Sequence, residues 1–301
     1  MKEVLKKIKL YFPFFNSLYK EYMEYGNNLG EPPGCYGSPV ISLQEIEKRQ
    51  HEIFNPKKEI KGIDLNESGQ IELIRSFKKY YELLPYSPSP GSELRYYYDN
   101  GYFPYFDAIS LFGIIHHFKP KRIIEVGSGF SSAVMLDTNE LFFKNSIDIT
   151  FIEPFPQRLN SLLRKTDNAN LQIRFLQDVE LEMFTKLERN DILFVDTSHV
   201  VKVGSELNHV LFEIIPLLKP GVIIHFHDIF YPFEYPKSWV LHDKRSWNEI
   251  YFLQSFLMYN STFKILLFNS FLGNQYAEWL EKNMPLCMRN TGGSFWLVKE
   301  G

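Results

Sequence analysis

Residues 122–132 read RIIEVGSGFSS: a short apolar strand that ends in an acid, a turn with two glycines, and serines where a helix would start. A glycine turn between a strand and a helix lets a ligand approach the backbone closely, because glycine has no Cβ and adopts left-handed conformations. The stretch therefore predicts an α/β fold that binds a nucleotide-containing cofactor at the carboxyl end of this strand.

The same turn indicates which kind of nucleotide binds. A dinucleotide fingerprint requires a third glycine after the pattern G-x-G-x-x, and Ser132 stands at that position. Glu125 precedes Gly127 by two residues, and a carboxylate there would repel a pyrophosphate but could hold a cationic amino group, directly or through water. The turn favours a cofactor that carries an ammonium group and no phosphate.

Four more apolar runs follow, and each ends in polar residues. Residues 147–153 (IDITFIE) end on Glu153, and residues 171–178 (LQIRFLQD) end on Asp178. Residues 191–199 (DILFVDTSH) deliver Asp196 and His199, and residues 222–228 (VIIHFHD) deliver a His-Asp pair. Because the carboxyl ends of parallel strands meet at one edge of an open α/β sheet, these side chains are predicted to line one site.

From about residue 98 to residue 236, the chain resembles the class I S-adenosylmethionine-dependent methyltransferases, and within them the macrocin type of sugar and natural-product O-methyltransferase. The resemblance implies an α/β, Rossmann-like seven-stranded sheet, mostly parallel with an antiparallel last strand, with helices on both faces. It also implies that Glu153 binds the ribose hydroxyls and Asp178 the adenine amino group. The predicted cofactor contacts are Glu125, Gly127, Ser128, Gly129, Ser131, Glu153, Asp178 and Asp196.

In the macrocin-like branch, the ends of strands 4 and 5 hold a divalent cation with carboxylates. Asp196 and Asp228 match that pattern, whereas His227 stands where the branch often has an acid. The resemblance therefore implies a metal at Asp196, His227 and Asp228. Oxygen ligands alone suit magnesium or calcium, while an added imidazole shifts the preference toward manganese, iron or zinc, so the identity of the ion stays open.

Methyl transfer to an alcohol requires the loss of the hydroxyl proton, and a general base or a bound cation assists that loss. We predict that His199 is the base, because histidine titrates near neutral pH. The alternative is a metal-independent enzyme that uses His199 or His227 as its sole base. His225 lies inside an apolar strand, which is more typical of a hydrogen-bonded core histidine than of a ligand.

Composition restricts the class of partner. The chain has 301 residues, of which 45% are hydrophobic and 23% charged, and a formal net charge of -3. These values are typical of globular proteins and give no basic field for nucleic acid. We therefore expect a small-molecule acceptor such as a sugar or glycosylated metabolite, with a homo-oligomer left open. Two cysteines and the lack of a long apolar stretch predict a cytoplasmic protein without a transmembrane segment.

Segments rich in proline and glycine indicate where the chain divides into domains. We predict an N-terminal extension over residues 1–95, partly helical, and a catalytic domain over residues 96–301. Residues 1–10 resemble a basic amphipathic helix, which packs on its own domain or a second subunit, or else contacts a membrane. The aromatic cluster of residues 95–107 is more typical of packing tyrosines than of rings that stack on a sugar or cofactor.

Two other classes of function are compatible with parts of the sequence. An NAD-dependent oxidoreductase would need the glycine turn to bind pyrophosphate, and Ser132 and Glu125 argue against that. A non-catalytic binding protein would have no need of Asp196, His199 and Asp228 together. The sequence thus favours a methyltransferase over both alternatives.

Overall fold

The computed structural model describes residues 30–91, 93–165, 167 and 169–301, together with residues 17 and 20. The amphipathic helix predicted for residues 1–10 lies outside these ranges. Among the residues that are described, no helix is long and apolar enough to cross a membrane.

The helices and strands alternate along most of the chain. In order they are α1 Leu43–Ile53, α2 Glu67–Tyr81, α3 Tyr105–Phe118, β1 Arg122–Val126, α4 Phe130–Phe143, β2 Asp148–Ile152, α5 Gln157–Leu162, β3 Asn170–Gln172, α6 Glu182–Thr185, β4 Ile192–Val195, α7 Glu206–His209, α8 Ile215–Leu217, β5 Ile223–Phe226, α9 Lys237–Leu241, α10 Glu249–Leu257, β6 Phe263–Phe268, α11 Asn269–Gln275, α12 Ala277–Asn283 and β7 Phe295–Lys299. Short 3-10 helices cover Leu176–Asp178 and Pro285–Arg289, and a π-helical turn covers Val210–Ile214.

The chain divides into two compact units. The first is Met1–Asn55 with Pro236–Ser246, and in it α1 contacts α9. The second is Pro56–Tyr235 with Trp247–Gly301 and contains the whole sheet. Residues 56–95, which the sequence places in the extension, therefore lie in the same unit as the sheet.

Helix α2 is tied to the edge strand β6 by two amide side chains. The Gln70 side-chain oxygen Oε1 accepts a hydrogen bond from the Phe268 backbone N–H at 2.8 Å. The Asn66 side-chain Nδ2 donates to the Ile265 main-chain carbonyl at 2.8 Å. These contacts satisfy backbone groups that an edge strand would otherwise leave unpaired. They explain why α2 belongs with the sheet.

The strands form a seven-stranded sheet in the order β3-β2-β1-β4-β5-β7-β6. β1 pairs in parallel with β2 and β4, β4 pairs in parallel with β5, and β7 pairs antiparallel with both β5 and β6. The strand order reverses between β1 and β4, the switch point where open α/β sheets bind ligands. The predicted fold class and the antiparallel last strand are confirmed.

The core lies on both faces of the sheet. β4 and β5 are buried along their full length, as parallel strands covered by helices on two faces must be. Residues 105–116 of α3 are all buried, so this helix is enclosed on every side. A rigid core of this kind holds the carboxyl ends of β1, β4 and β5 in fixed positions.

Two elements differ from the sequence prediction. β3 spans only Asn170–Gln172, where the sequence predicts a strand over residues 171–178, because the Arg174 N–H bonds back to the Gln172 carbonyl and turns the chain. Between strands 6 and 7, the sequence predicts one helix, over residues 275–284. The structure has two helices there, because α11 begins directly at the end of β6 and α12 follows it.

Candidate functional site

The glycine turn after β1 packs directly against the end of β4. Gly127 has φ +80°, and a Cβ built on it would lie 1.7 Å from the main-chain oxygen of Asp196. The Asp196 N–H donates to the Val126 carbonyl at 2.9 Å, which fixes the contact. Only glycine fits this position, since both the backbone conformation and the space exclude a side chain.

Glu153, at the end of β2, is oriented by two backbone N–H groups. Its Oε2 accepts from the Ser128 N–H at 3.0 Å, and its Oε1 accepts from the Phe155 N–H at 2.7 Å. Each carboxylate oxygen has a second lone pair, so both can still accept a hydrogen bond from a ligand. Glu153 thus presents paired acceptors beside the glycine turn, as binding of a ribose diol requires.

Glu125 is placed differently from what the sequence suggests. Its side chain is fully buried, and it accepts hydrogen bonds from the Ser131 and Ser132 hydroxyls at the start of α4. Burial raises its pKa to about 8, although both serine hydrogen bonds oppose that effect. Both oxygens serve the strand-to-helix junction, so the predicted contact of Glu125 with a cofactor ammonium group stays a prediction, as does that of Ser131.

Other predicted contacts lie around the turn. The Ser128 hydroxyl is buried without a hydrogen-bond partner among the described residues, as expected of a group that awaits a ligand. Gly129 is the N-cap residue of α4. Asp178 is exposed at the end of a 3-10 helix. The free Ser128 hydroxyl and the Glu153 oxygens fit the hydroxyl groups of a nucleoside cofactor.

A polar cluster surrounds His199 at the carboxyl ends of β4 and β5. The His199 Nε2 lies 3.4 Å from Asp196 Oδ1 and 3.5 Å from Asp228 Oδ2, and its Nδ1 lies 2.8 Å from Glu249 Oε2. The His199 side chain is 6% exposed, whereas that of Asp196 is 33% exposed. Three carboxylates therefore converge on one buried imidazole.

The charges in this cluster reinforce one another. Burial alone would lower the pKa of His199, but hydrogen bonds to Asp196 and Glu249 raise it well above its ordinary value. Partial burial would raise the pKa of Asp196, but His227 and His199 lower it to about 2. At neutral pH the cluster thus holds a protonated His199 beside an ionised Asp196.

The chain reaches this arrangement through unusual backbone conformations. His199 and Asp228 have φ values of 60° and 59°, in the left-handed region that non-glycine residues rarely adopt. The His199 carbonyl accepts from the N–H groups of Asn248 and Glu249 at the start of α10, at 3.1 and 3.2 Å. Such conformations concentrate at functional sites, where the surrounding structure enforces them.

His227 lies beneath Asp228 and is almost fully buried. Its Nε2 is 3.6 Å from Asp228 Oδ1. Burial lowers the pKa of His227, but the charges of Asp228, Asp196 and Asp107 together raise it. Asp107, on α3, is itself buried, which raises its pKa to about 6. His227 thus connects the acids at the sheet edge with a buried acid below them.

His225 is buried as predicted, but neither ring nitrogen has a hydrogen-bond partner among the described residues. Its ring stacks on Phe194 with a centroid distance of 3.7 Å and contacts Trp296 at 4.5 Å. Burial lowers its pKa well below the ordinary value. His225 acts as an aromatic core residue rather than as a ligand.

The predicted metal ligands lie together but do not form a metal site in this arrangement. Among the described residues there is no group of three or more His, Cys, Asp or Glu side chains with the geometry to hold a metal ion. The Asp196 and Asp228 carboxylates instead approach the same atom, Nε2 of His199. The residues as placed do not fit a cation.

Two members of the cluster, Glu249 and Asp107, were not among the predicted site residues. Both lie in the first turn of a helix, where an acid is ordinarily explained by the helix dipole. The only local signal is that each is a single acid on a mostly apolar helix. That both acids are buried is not visible in the sequence.

Comparison with known proteins agrees with this geometry. A family described as "Methyltransferase domain" matches residues 124–229, from the middle of β1 to just past β5. An uncharacterized protein of Archaeoglobus fulgidus is 38% identical over 168 residues, which cover 54% of this chain and 75% of that protein.

Two solved structures are also similar to this chain. The O-methyltransferase TomG from Streptomyces achromogenes, involved in tomaymycin synthesis and solved with S-adenosylmethionine, is 11% identical, with a TM-score of 0.43 and coverage of 85% of this chain and 96% of TomG. The S-adenosylhomocysteine-bound methyltransferase PaMTH1 of Podospora anserina is 14% identical, with a TM-score of 0.42 and coverage of 91% and 100%.

The sheet order, the glycine turn after β1 and the acid that ends β2 define the class I methyltransferase fold. The family match lies over that same region, and the chain is an S-adenosylmethionine-dependent methyltransferase. The predicted enzyme class is confirmed, and the oxidoreductase and non-catalytic alternatives are set aside.

Proposed function

We propose that the protein is an O-methyltransferase of the macrocin-like type, which methylates a hydroxyl of a sugar or another small polar metabolite. The observation that carries the proposal is the position of Asp228, whose carboxylate lies between two imidazoles, 3.5 Å from His199 Nε2 and 3.6 Å from His227 Nε2. A carboxylate fixed in this way can orient a hydroxyl group and accept its proton.

When bound, S-adenosylmethionine supplies an electrophilic methyl group on a cationic sulfur. Asp228, 15% exposed, would accept the hydrogen bond of the acceptor hydroxyl and take its proton as the oxygen bonds to the methyl carbon, the methyl–sulfur bond breaks and S-adenosylhomocysteine leaves. His227 lies next to Asp228 and holds the Asp228 carboxylate in place. His199, protonated and held by Glu249, keeps the carboxylates ionised and in place.

This assignment changes the role that the sequence suggests for His199. A histidine whose pKa is raised well above its ordinary value keeps its proton at neutral pH and is a poor base there. His199 as the base remains the alternative, and the two assignments differ in their pH dependence. If protonated His199 is needed, turnover falls as the pH rises through its raised pKa, whereas turnover rises over that range if His199 is the base.

The proposal is tested by incubating the protein with S-adenosylmethionine and a panel of sugars and hydroxylated metabolites, and detecting methylated product by mass spectrometry. We expect Asp228→Asn to abolish product formation while S-adenosylhomocysteine still binds. A methylated nitrogen in place of oxygen, or full turnover by Asp228→Asn, would contradict the proposal.

The metal-assisted form of the reaction rests on the resemblance alone. If it operates, EDTA abolishes turnover and a divalent ion restores it. Turnover that is insensitive to EDTA selects the metal-independent form, which the placement of His199 between Asp196 and Asp228 supports.

A further inference from the structure

Arg158, in the first turn of α5, lies over the glycine turn. A Cβ built on Gly129 would lie 3.1 Å from Arg158 Cδ and 3.7 Å from its Nη1. The guanidinium carbon is 3.8 Å from the centroid of the Tyr102 ring, so the charged plane rests on an aromatic face. The position of this guanidinium is thus defined by packing on both sides.

The charge of Arg158 has no counterion in the part of the chain that the structure describes, where its guanidinium makes neither a hydrogen bond nor an ion pair. The Tyr102 ring, on which the guanidinium rests, is 57% exposed. It stacks in turn on the Phe130 ring, with a centroid distance of 6.0 Å. A stacked guanidinium keeps its five N–H donors free for a planar anion such as a carboxylate.

The turn is flanked by charges of opposite sign. A Cβ on Gly127 would meet the main-chain oxygen of Asp196, whose carboxylate is ionised, and a Cβ on Gly129, two residues further, would meet the Arg158 side chain. The two glycine Cα atoms are at most about 7 Å apart. Between them, the Ser128 N–H is bonded to Glu153. A ligand group seated on this turn thus has Asp196, at the end of β4, on one side and the Arg158 guanidinium on the other.

A free amino-acid group carries an ammonium and a carboxylate on one carbon atom, so it matches this pattern of charges. We infer that Arg158, supported by Tyr102, binds the carboxylate at the amino-acid end of the cofactor, and that Asp196 faces the ammonium group. The inference concerns cofactor binding only and is independent of the acceptor chemistry proposed above. It assigns the ammonium group to Asp196 in place of Glu125, whose side chain is fully buried and bonded to two serine hydroxyls.

The test is a thermodynamic cycle measured by calorimetry, with no acceptor present. S-adenosylhomocysteine and its decarboxylated analogue, which keeps adenine, ribose, sulfur and ammonium, are titrated into wild type, Arg158→Gln and Arg158→Lys. Arg75→Gln, which removes an exposed arginine from α2, controls for the change in net charge. Binding of the analogue controls for folding of each variant.

We expect Arg158→Gln to weaken S-adenosylhomocysteine about tenfold, between the values typical of an exposed ion pair and of a buried charged hydrogen bond. Its affinity for the decarboxylated analogue should stay within about twofold of wild type. Arg158→Lys should retain part of the discrimination, because it keeps the charge but loses the planar stack. Arg75→Gln should match wild type for both ligands.

Equal losses for both ligands, or no loss for either, would overturn the assignment of the carboxylate to Arg158. A wild-type protein that binds neither ligand would overturn the inference together with the cofactor itself. Failure of every acceptor in the methylation assay, with the calorimetric pattern intact, would leave this inference standing and reject only the proposed acceptor chemistry.

Discussion

The main-chain oxygen of Asp196 occupies the place that a Cβ of residue 127 would need, 1.7 Å from its ideal position. The ends of β1 and β4 thereby meet with only a glycine Cα between them. This contact places the glycine turn against the first acid of the polar cluster, and we therefore predict that cofactor binding is coupled to the geometry of that cluster.

Replacement of Gly127 tests that coupling. Gly127→Ala should destabilise the fold by at least about 2 kcal/mol, since the left-handed conformation alone costs about 1–2 kcal/mol and the Asp196 carbonyl must also move. S-adenosylhomocysteine binding should be lost. Gly204→Ala is a matched control, because Gly204 has φ +72° but nothing within 4 Å of its Cβ position. Thermal unfolding and calorimetry measure both effects, and equal behaviour of the two variants would refute the coupling.

Glu153→Gln should weaken S-adenosylhomocysteine by about 10- to 100-fold with little change in stability. The amide keeps one acceptor oxygen, but its NH2 group would face a backbone N–H donor, Ser128 or Phe155, and could not accept from a ribose hydroxyl. Glu182→Gln, an exposed acid on α6, is the control. Unchanged affinity of the Glu153 variant, measured by calorimetry, would remove Glu153 from the cofactor site.

Glu249→Gln should lower the pKa of His199, because hydrogen bonding to Glu249 helps to raise it. The raised pKa of His199 contributes stability that is present below pH 6.5 and lost as the pH rises through the folded value, so the variant should lose stability most at low pH. An NMR titration of the His199 ring protons measures the shift, and the 88% exposed His242 ring serves as reference. An unshifted His199 would contradict the role of Glu249.

Glu125 should make the protein less stable as the pH rises. Its pKa is about 8 in the fold against an ordinary value of 4.5, so its contribution is fully present below pH 4.5 and is lost as the pH approaches and passes 8. Glu125→Gln removes this titration. Between pH 5 and 9 the unfolding free energy of wild type should fall by at least about 1 kcal/mol more than that of the variant, a difference equivalent to roughly one pKa unit. Parallel thermal-unfolding profiles for the two proteins would show that Glu125 is not buried in this way.

The sheet could be predicted because its signals are local. β1, β2, β4 and β5 are mostly apolar runs of four or five residues, each followed closely by glycine or polar residues, and the turn at Gly127 requires a residue without a side chain. Parallel strands with a shared carboxyl edge then bring Asp196, His199 and Asp228 together. These features depend on apolar runs and turn chemistry within a few residues, and both can be read directly from the sequence.

What only the tertiary structure decided is which charges meet. Glu249 reaches His199 from 50 residues further along the chain, Asp107 on α3 acts electrostatically on His227, and Glu125 bonds to two serines. Burial then sets the ionisation of each group, and burial depends on packing between elements far apart in sequence. The sequence thus determined the fold and the location of the site, while long-range packing determined the partners and the charge of each side chain, because electrostatic interactions depend on distances in space and not on order along the chain.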